Sequence, residues 1–309
     1  MKKDNILLKV WRCFYVPGLY FAIMLTVQFI AMFVYMLVAM VEDPGLDQYA
    51  LTKLTEEWLI EQSVTLTIVS GVIALPILWI LMKSDKRRLK RVDELKAYEK
   101  VAPFKWLYIV VIGAAACIGF NLLITITGII NWGGGFEDTS EAIYGGNPVA
   151  MVLGVVFLIP MIEEFVFRGL VYERIRQYGG VKLAIFLSAV YFGVFHMNVP
   201  QGIYAFLIGV IIAWVYYKYK SVWAPVLFHV SANGFSVLLT FSPAFAEIEG
   251  VGVIVMCAVA LVITALMAWL IYKQVNPKCV SGQYDTIVVG SGFAGAVVAR
   301  ELAEYKNEK

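Results

Sequence analysis

Three short patterns place polar, reactive side chains inside apolar runs. PMIEEFVFRGL carries Glu163, Glu164 and Arg168. YFGVFH carries Phe192 and His196, and HVSAN carries His229 and Asn233. The chain has no other histidines. On a helix Glu164 and Arg168 stand four residues apart on one face, so they can pair. Glu163 is turned about 100° away and lacks that local cation. One acid therefore reads as structurally paired and the other as free to react. The pairs Phe192/His196 and His229/Asn233 also share a face each.

These side chains suit hydrolysis. A carboxylate in an apolar setting can act as general base toward water. A histidine beside it can orient the water or relay its proton. A second histidine and an amide can stabilise the oxyanion of an amide or ester under attack. Ser231 lies two residues from His229, on the far side of the helix, and is a poor nucleophile. Glu163, His196 and His229 could alternatively hold zinc. No His-Glu-x-x-His pattern supports that, and water activation by Glu163 without metal is the preferred reading. A lone histidine on an apolar face is most often a core residue. Here, however, two Glu, two His, one Arg and one Asn all sit where an unsatisfied polar group is expensive. One shared cavity accounts for all of them.

The elements that must position these groups are membrane helices. The chain has 309 residues, 61% hydrophobic and 16% charged, with a net charge of +2; its mean hydropathy is +0.77. A soluble domain is about half apolar and a quarter charged. A nucleic-acid-binding surface is not expected. Spans of roughly 20 apolar residues are expected at about 14–41, 59–82, 104–130, 148–172, 182–198, 201–217, 221–241 and 251–272. That predicts an all-α polytopic transmembrane bundle of about eight spans. The fifth and sixth are short, and they are expected to form a hairpin that does not fully cross. Basic residues alternate from loop to loop, with Lys83–Arg91 the strongest cluster. By the positive-inside rule both termini are cytoplasmic. The Lys83–Lys100 run reads as a solvated loop that sets topology, with an anionic-lipid contact as the alternative. Cys13, Cys117, Cys257 and Cys279 are scattered, forming neither a disulfide framework nor a zinc knuckle.

Glu-Glu-x-x-x-Arg, Phe-x-x-x-His and His-x-x-x-Asn, in that order on separate membrane helices, resemble the CAAX protease and bacteriocin-processing (CPBP, or ABI) family of intramembrane endopeptidases. The resemblance covers about residues 100–241. It implies an all-α bundle around a cavity open to membrane and cytoplasm. Glu163 with His196 would activate water, and His229 with Asn233 would form the oxyanion site. Glu164, Arg168 and Phe192 would support them. It also implies a membrane-associated, prenylated or peptide substrate entering from membrane or cytoplasm, and a place in a bacterial cytoplasmic membrane. A non-catalytic factor of the bacteriocin-immunity or partner-regulating type is the alternative. A transporter is less favoured, since no repeat symmetry is evident. The oligomeric state is left open.

Residues 1–275 read as this membrane domain, and 276–309 as a separate tail. The tail's YDTIVVGSGFAGAVVARELAE holds Gly290, Gly292 and Gly295 in dinucleotide-fingerprint spacing. It resembles the start of UDP-galactopyranose mutase and related FAD enzymes. No second strand or ribose-binding acid follows, so the tail is expected not to bind FAD unless the chain continues beyond residue 309. A truncated or fused stub is favoured over a surface helix.

Overall fold

The computed structural model describes residues 6–91, 97–133, 143 and 147–280. The glycine fingerprint lies outside the described residues. The main helices are α1 (Ile6–Glu42), α2 (Gln48–Glu61), α3 (Ser63–Arg91), α4 (Leu107–Ile126), α5 (Pro148–Phe195), α6 (Val199–Tyr219), α7 (Trp223–Thr240) and α8 (Val251–Gln274). A two-residue antiparallel pair joins β1 (Ala97–Tyr98) to β2 (Cys279–Val280), with Ala97 opposite Val280. The described residues otherwise form the expected all-α bundle.

Local chemistry sets several helix starts. Asp47 caps α2 by accepting from Ala50 N at 2.7 Å. Asn147 accepts from Val149 N and Ala150 N ahead of Pro148. Asn198 accepts from Gln201 N at 3.1 Å and opens α6. In each case a side-chain oxygen satisfies an amide that the first helical turn leaves without a backbone partner.

Among the described residues, six helices are long and apolar enough to cross a membrane. The expected eight differ from this count in two places. The runs 148–172 and 182–198 belong to one helical trace, α5, which breaks at Gly180 (φ 78°, ψ −179°). A side chain there would be strained, and glycine is not. We call 148–179 and 181–195 its first and second arms. The two arms pack on each other: Phe192 and Phe195 meet Phe167 of the first arm, with ring centroids 5.3 and 5.4 Å apart. α7 drops from the count because His229, Ser231 and Asn233 lower its hydropathy. Of the expected short hairpin, the α6 half is longer than read. α6 has 21 residues, about 31 Å at 1.5 Å per residue, which is enough to cross.

In lipid, apolar helices gain little by leaving one apolar medium for another, so close packing and polar staples carry association. Both are present. Arg174, on the first arm of α5, donates to Asp85 of α3 at 2.6 Å, to the Arg12 carbonyl of α1 at 2.6 Å and to the Tyr15 hydroxyl at 3.1 Å. Arg12 completes the staple by pairing with Asp85 at 3.1 Å. Asp85 lies inside the basic Lys83–Arg91 run, so part of that run ties helices together. Cys13, Cys117 and Cys257 are buried free thiols.

α4 and α7 approach at Gly113. A Cβ there would lie 2.6 Å from the Phe228 carbonyl oxygen and 3.1 Å from Ser231 Cβ. Ser231 Oγ donates across the same seam to the Val110 carbonyl at 2.7 Å. Gly113→Val must therefore push apart the helix that carries His229. We expect it to cost about 1–3 kcal/mol, read as a lower melting temperature in detergent. Wild-type melting would show that the seam is looser than drawn.

Candidate active site

The site sits between two apolar clusters. One gathers Ile162, Phe165, Val166, Phe167 and Phe192 with Tyr20 and Leu78. The other gathers Ile109, Ile112, Ile208, Phe228 and Ala232. Glu163 and Glu164 end a short α-turn, Ile159–Glu164, with π-helical stretches on both sides, Val152–Leu158 and Phe165–Tyr172. Such widened turns are rare and recur at functional sites. They change the phase of the helix around the acids.

Glu164 and Arg168 are fully buried, and their side chains pair at 2.9 Å. Arg168 also donates to the Gly209 carbonyl of α6 at 3.1 Å, and its guanidinium lies over the Phe192 ring, 4.6 Å from the centroid. The i,i+4 pairing read from the sequence is thus extended by a helix 41 residues on. Phe192 is more than a spacer. Its ring meets Arg168, His196 (4.9 Å) and His229 (5.5 Å).

Glu164 has a second partner that the sequence did not disclose. His229 Nδ1 lies 2.9 Å from the same carboxylate oxygen that takes Arg168. The carboxylate can only accept from it, so Nδ1 carries the proton. That contact turns the other ring nitrogen toward Glu163: His229 Nε2 is 3.7 Å from Glu163 Oε2. This is too long for a direct hydrogen bond. Both groups border a cavity of about 390 Å³, as do His196, Phe192, Asn233, Asn121 and Tyr204. Glu163 keeps 12% of its side chain accessible, against 0% for Glu164.

His196 ends the second arm of α5. Its Nδ1 is 2.7 Å from the Phe192 carbonyl, which can only accept, so Nδ1–H is committed and Nε2 is left as an acceptor. Met197 follows with φ 57°, and the chain reverses into α6. Counted along their separate helices, His196 and His229 stand at different depths. The reversal after His196 and the shared Phe192 ring bring both to one cavity. Asn233 Nδ2 donates to the Val155 carbonyl at 2.8 Å. One of its two amide protons is committed and the second is not needed there. Among the described residues no three His, Cys, Asp or Glu side chains gather as a metal site. Asn121 is a cavity residue that sequence reading passed over. Its signal was a single amide in the otherwise apolar α4.

Residues 145–235 match the family model described as Rce1-like, type II CAAX prenyl endopeptidase Rce1-like. All seven motif residues lie within that segment. A Bacillus subtilis (strain 168) protein provisionally named a membrane peptidase, YdiL, is 26% identical over 90 residues, 29% of this chain and 37% of the relative. The alignment thus spans little more than a third of the relative's length. No solved structure matches the chain.

Proposed function

We propose that this chain, whose residues 145–235 match the Rce1-like family model, is a CPBP-type intramembrane endopeptidase in which Glu163 activates water. The carrying observation is the division between the two acids. Glu164 is buried and held by Arg168 and His229, while Glu163 borders the cavity 3.7 Å from His229 Nε2. Water between them would lose a proton to Glu163 and attack the scissile carbonyl carbon. His196 Nε2, an acceptor, would orient that water. The tetrahedral oxyanion would take hydrogen bonds from His229 Nε2–H and the second amide proton of Asn233. Collapse breaks the C–N bond, and Glu163–H returns its proton to the leaving amine. A protonated His229 would leave the Glu163, Glu164, Arg168 and His229 cluster with no net charge. No step is routed through zinc.

The substrate would be a membrane-associated peptide, prenylated or not, reaching the cavity from bilayer or cytoplasm. The protein would lie in a bacterial cytoplasmic membrane with both termini inside. The test is reconstitution in liposomes with a library of membrane-anchored peptides in heavy-oxygen water. Cleavage should place the label in the new carboxylate. Asn233→Ala should lower kcat about 10²–10³-fold with KM little changed. Asn233→Ala cleaving at the wild-type rate would remove the amide from the oxyanion site. A library left uncut by wild type, while partner protection persists in cells, would favour the non-catalytic alternative.

A further inference from the structure

A second cavity, about 540 Å³, shares no lining residue with the Glu163 cavity. Lys86 of α3, Arg176 of α5 and Lys220 at the end of α6 line it, with Tyr172. Its acids are already occupied. Glu173 takes Arg176 at 2.7 Å and the Tyr216 hydroxyl at 2.8 Å. Asp85 takes Arg12 and Arg174. Among the described residues no carboxylate lies within ion-pair distance of Lys86 or Lys220, so the cavity carries surplus positive charge.

It also carries hydrogen-bond donors without acceptors. Tyr172 is 1% exposed, and its buried hydroxyl has no hydrogen-bond partner among the described residues. Gln177 Nε2 is in the same position, while Gln177 Oε1 accepts from Arg88. Buried polar groups are normally satisfied, and exceptions call for a reason. A ligand made of acceptor oxygens would satisfy both.

Lys220 occupies its place against local preference. It closes α6 at φ 55°, a left-handed position usually filled by glycine. Its ammonium lies 3.8 Å from the Tyr217 ring centroid and 5.0 Å from that of Tyr98. Burial, and after it the Arg176 charge, push that ammonium below its usual range. An anion between the two would relieve both effects. Trp223 and Tyr217 line the same cavity and are exposed. Exposed Trp and Tyr beside lysines mark the headgroup level of a bilayer.

We propose that this cavity binds a phosphate group, delivered by the headgroup of an anionic phospholipid, with Lys86, Lys220, Arg176 and the Tyr172 hydroxyl as donors. Tetrahedral phosphate offers acceptors in several directions, which suits donors arriving from α3, α5 and α6. Basic pockets between membrane helices hold headgroups by this means.

The test titrates the full chain, purified in neutral detergent, with short-chain phosphatidylglycerol, short-chain phosphatidylcholine and glycerol 3-phosphate. Phosphatidylglycerol should saturate at one per chain, about tenfold tighter than phosphatidylcholine. Lys86→Gln and Lys220→Gln should each weaken it about fivefold. Tyr172→Phe, which keeps the ring, should weaken it about threefold. Lys53→Gln, on α2, should change nothing. Lys220→Gly removes the ammonium yet suits the left-handed backbone, so it separates lost binding from lost folding. Equal affinity for both lipids, or wild-type binding by the two lysine variants, overturns the site. Glycerol 3-phosphate binding as tightly as the lipid keeps the phosphate site and overturns the lipid source.

Discussion

Glu163→Gln is expected to lower peptide hydrolysis about 10²–10⁴-fold, the range for removing a general base. The amide has nearly the shape of the carboxylate, and Glu163 borders the cavity, so the bundle should stay folded. Glu164 keeps both of its partners in this variant. The loss should therefore fall on kcat, with substrate binding largely retained. The assay is product formation in liposomes, run beside a melting curve for each protein. Normal turnover with normal melting would sink Glu163 as the base. Loss of turnover with intact partner protection in cells would separate the catalytic role from a non-catalytic one.

Arg168→Leu is expected to be the most destabilising single change at the site. Glu164 is 0% exposed and would keep only His229. Removing one partner of a buried ion pair costs about 3–5 kcal/mol, because a charge is left uncompensated. In a chain of this size that is a fall in melting temperature on the order of 10 °C. Replacing both partners with leucine should recover much of the stability, since the cost of desolvating the two charges offsets much of their Coulomb attraction. The double variant should nevertheless stay inactive, because His229 Nδ1 then loses the carboxylate that turns Nε2 toward Glu163. A double variant that is both stable and fully active would show that Glu164 does not orient His229.

These expectations rest partly on features legible in one dimension. The pairing of Glu164 with Arg168 follows from i,i+4 geometry, which any helix imposes, so the structure only repeats it. The isolation of Glu163 follows from the same 100° step. Bundle class follows from the length and apolarity of the runs. Chain reversals were less legible. Gly180 breaks α5 where the sequence suggested a plain connection between spans, and α6 proved long enough to cross. One glycine's φ is set by what its two arms pack against, which composition does not carry.

What the sequence by itself determined is which side chains are too polar for an apolar bundle, and which neighbours on one helix share a face. Only the tertiary structure decided which acid His229 would take. Glu164 and His229 are 65 residues apart, and their contact depends on how closely α5 and α7 pack and on Phe192 standing between the histidines. The same holds for Asp85, a lone acid in a basic run that becomes the partner of Arg12 and Arg174. Helical spacing is a local property of the backbone and can be read by counting. Partner choice between helices depends on interaxial distance and rotation, which the whole packed bundle sets at once.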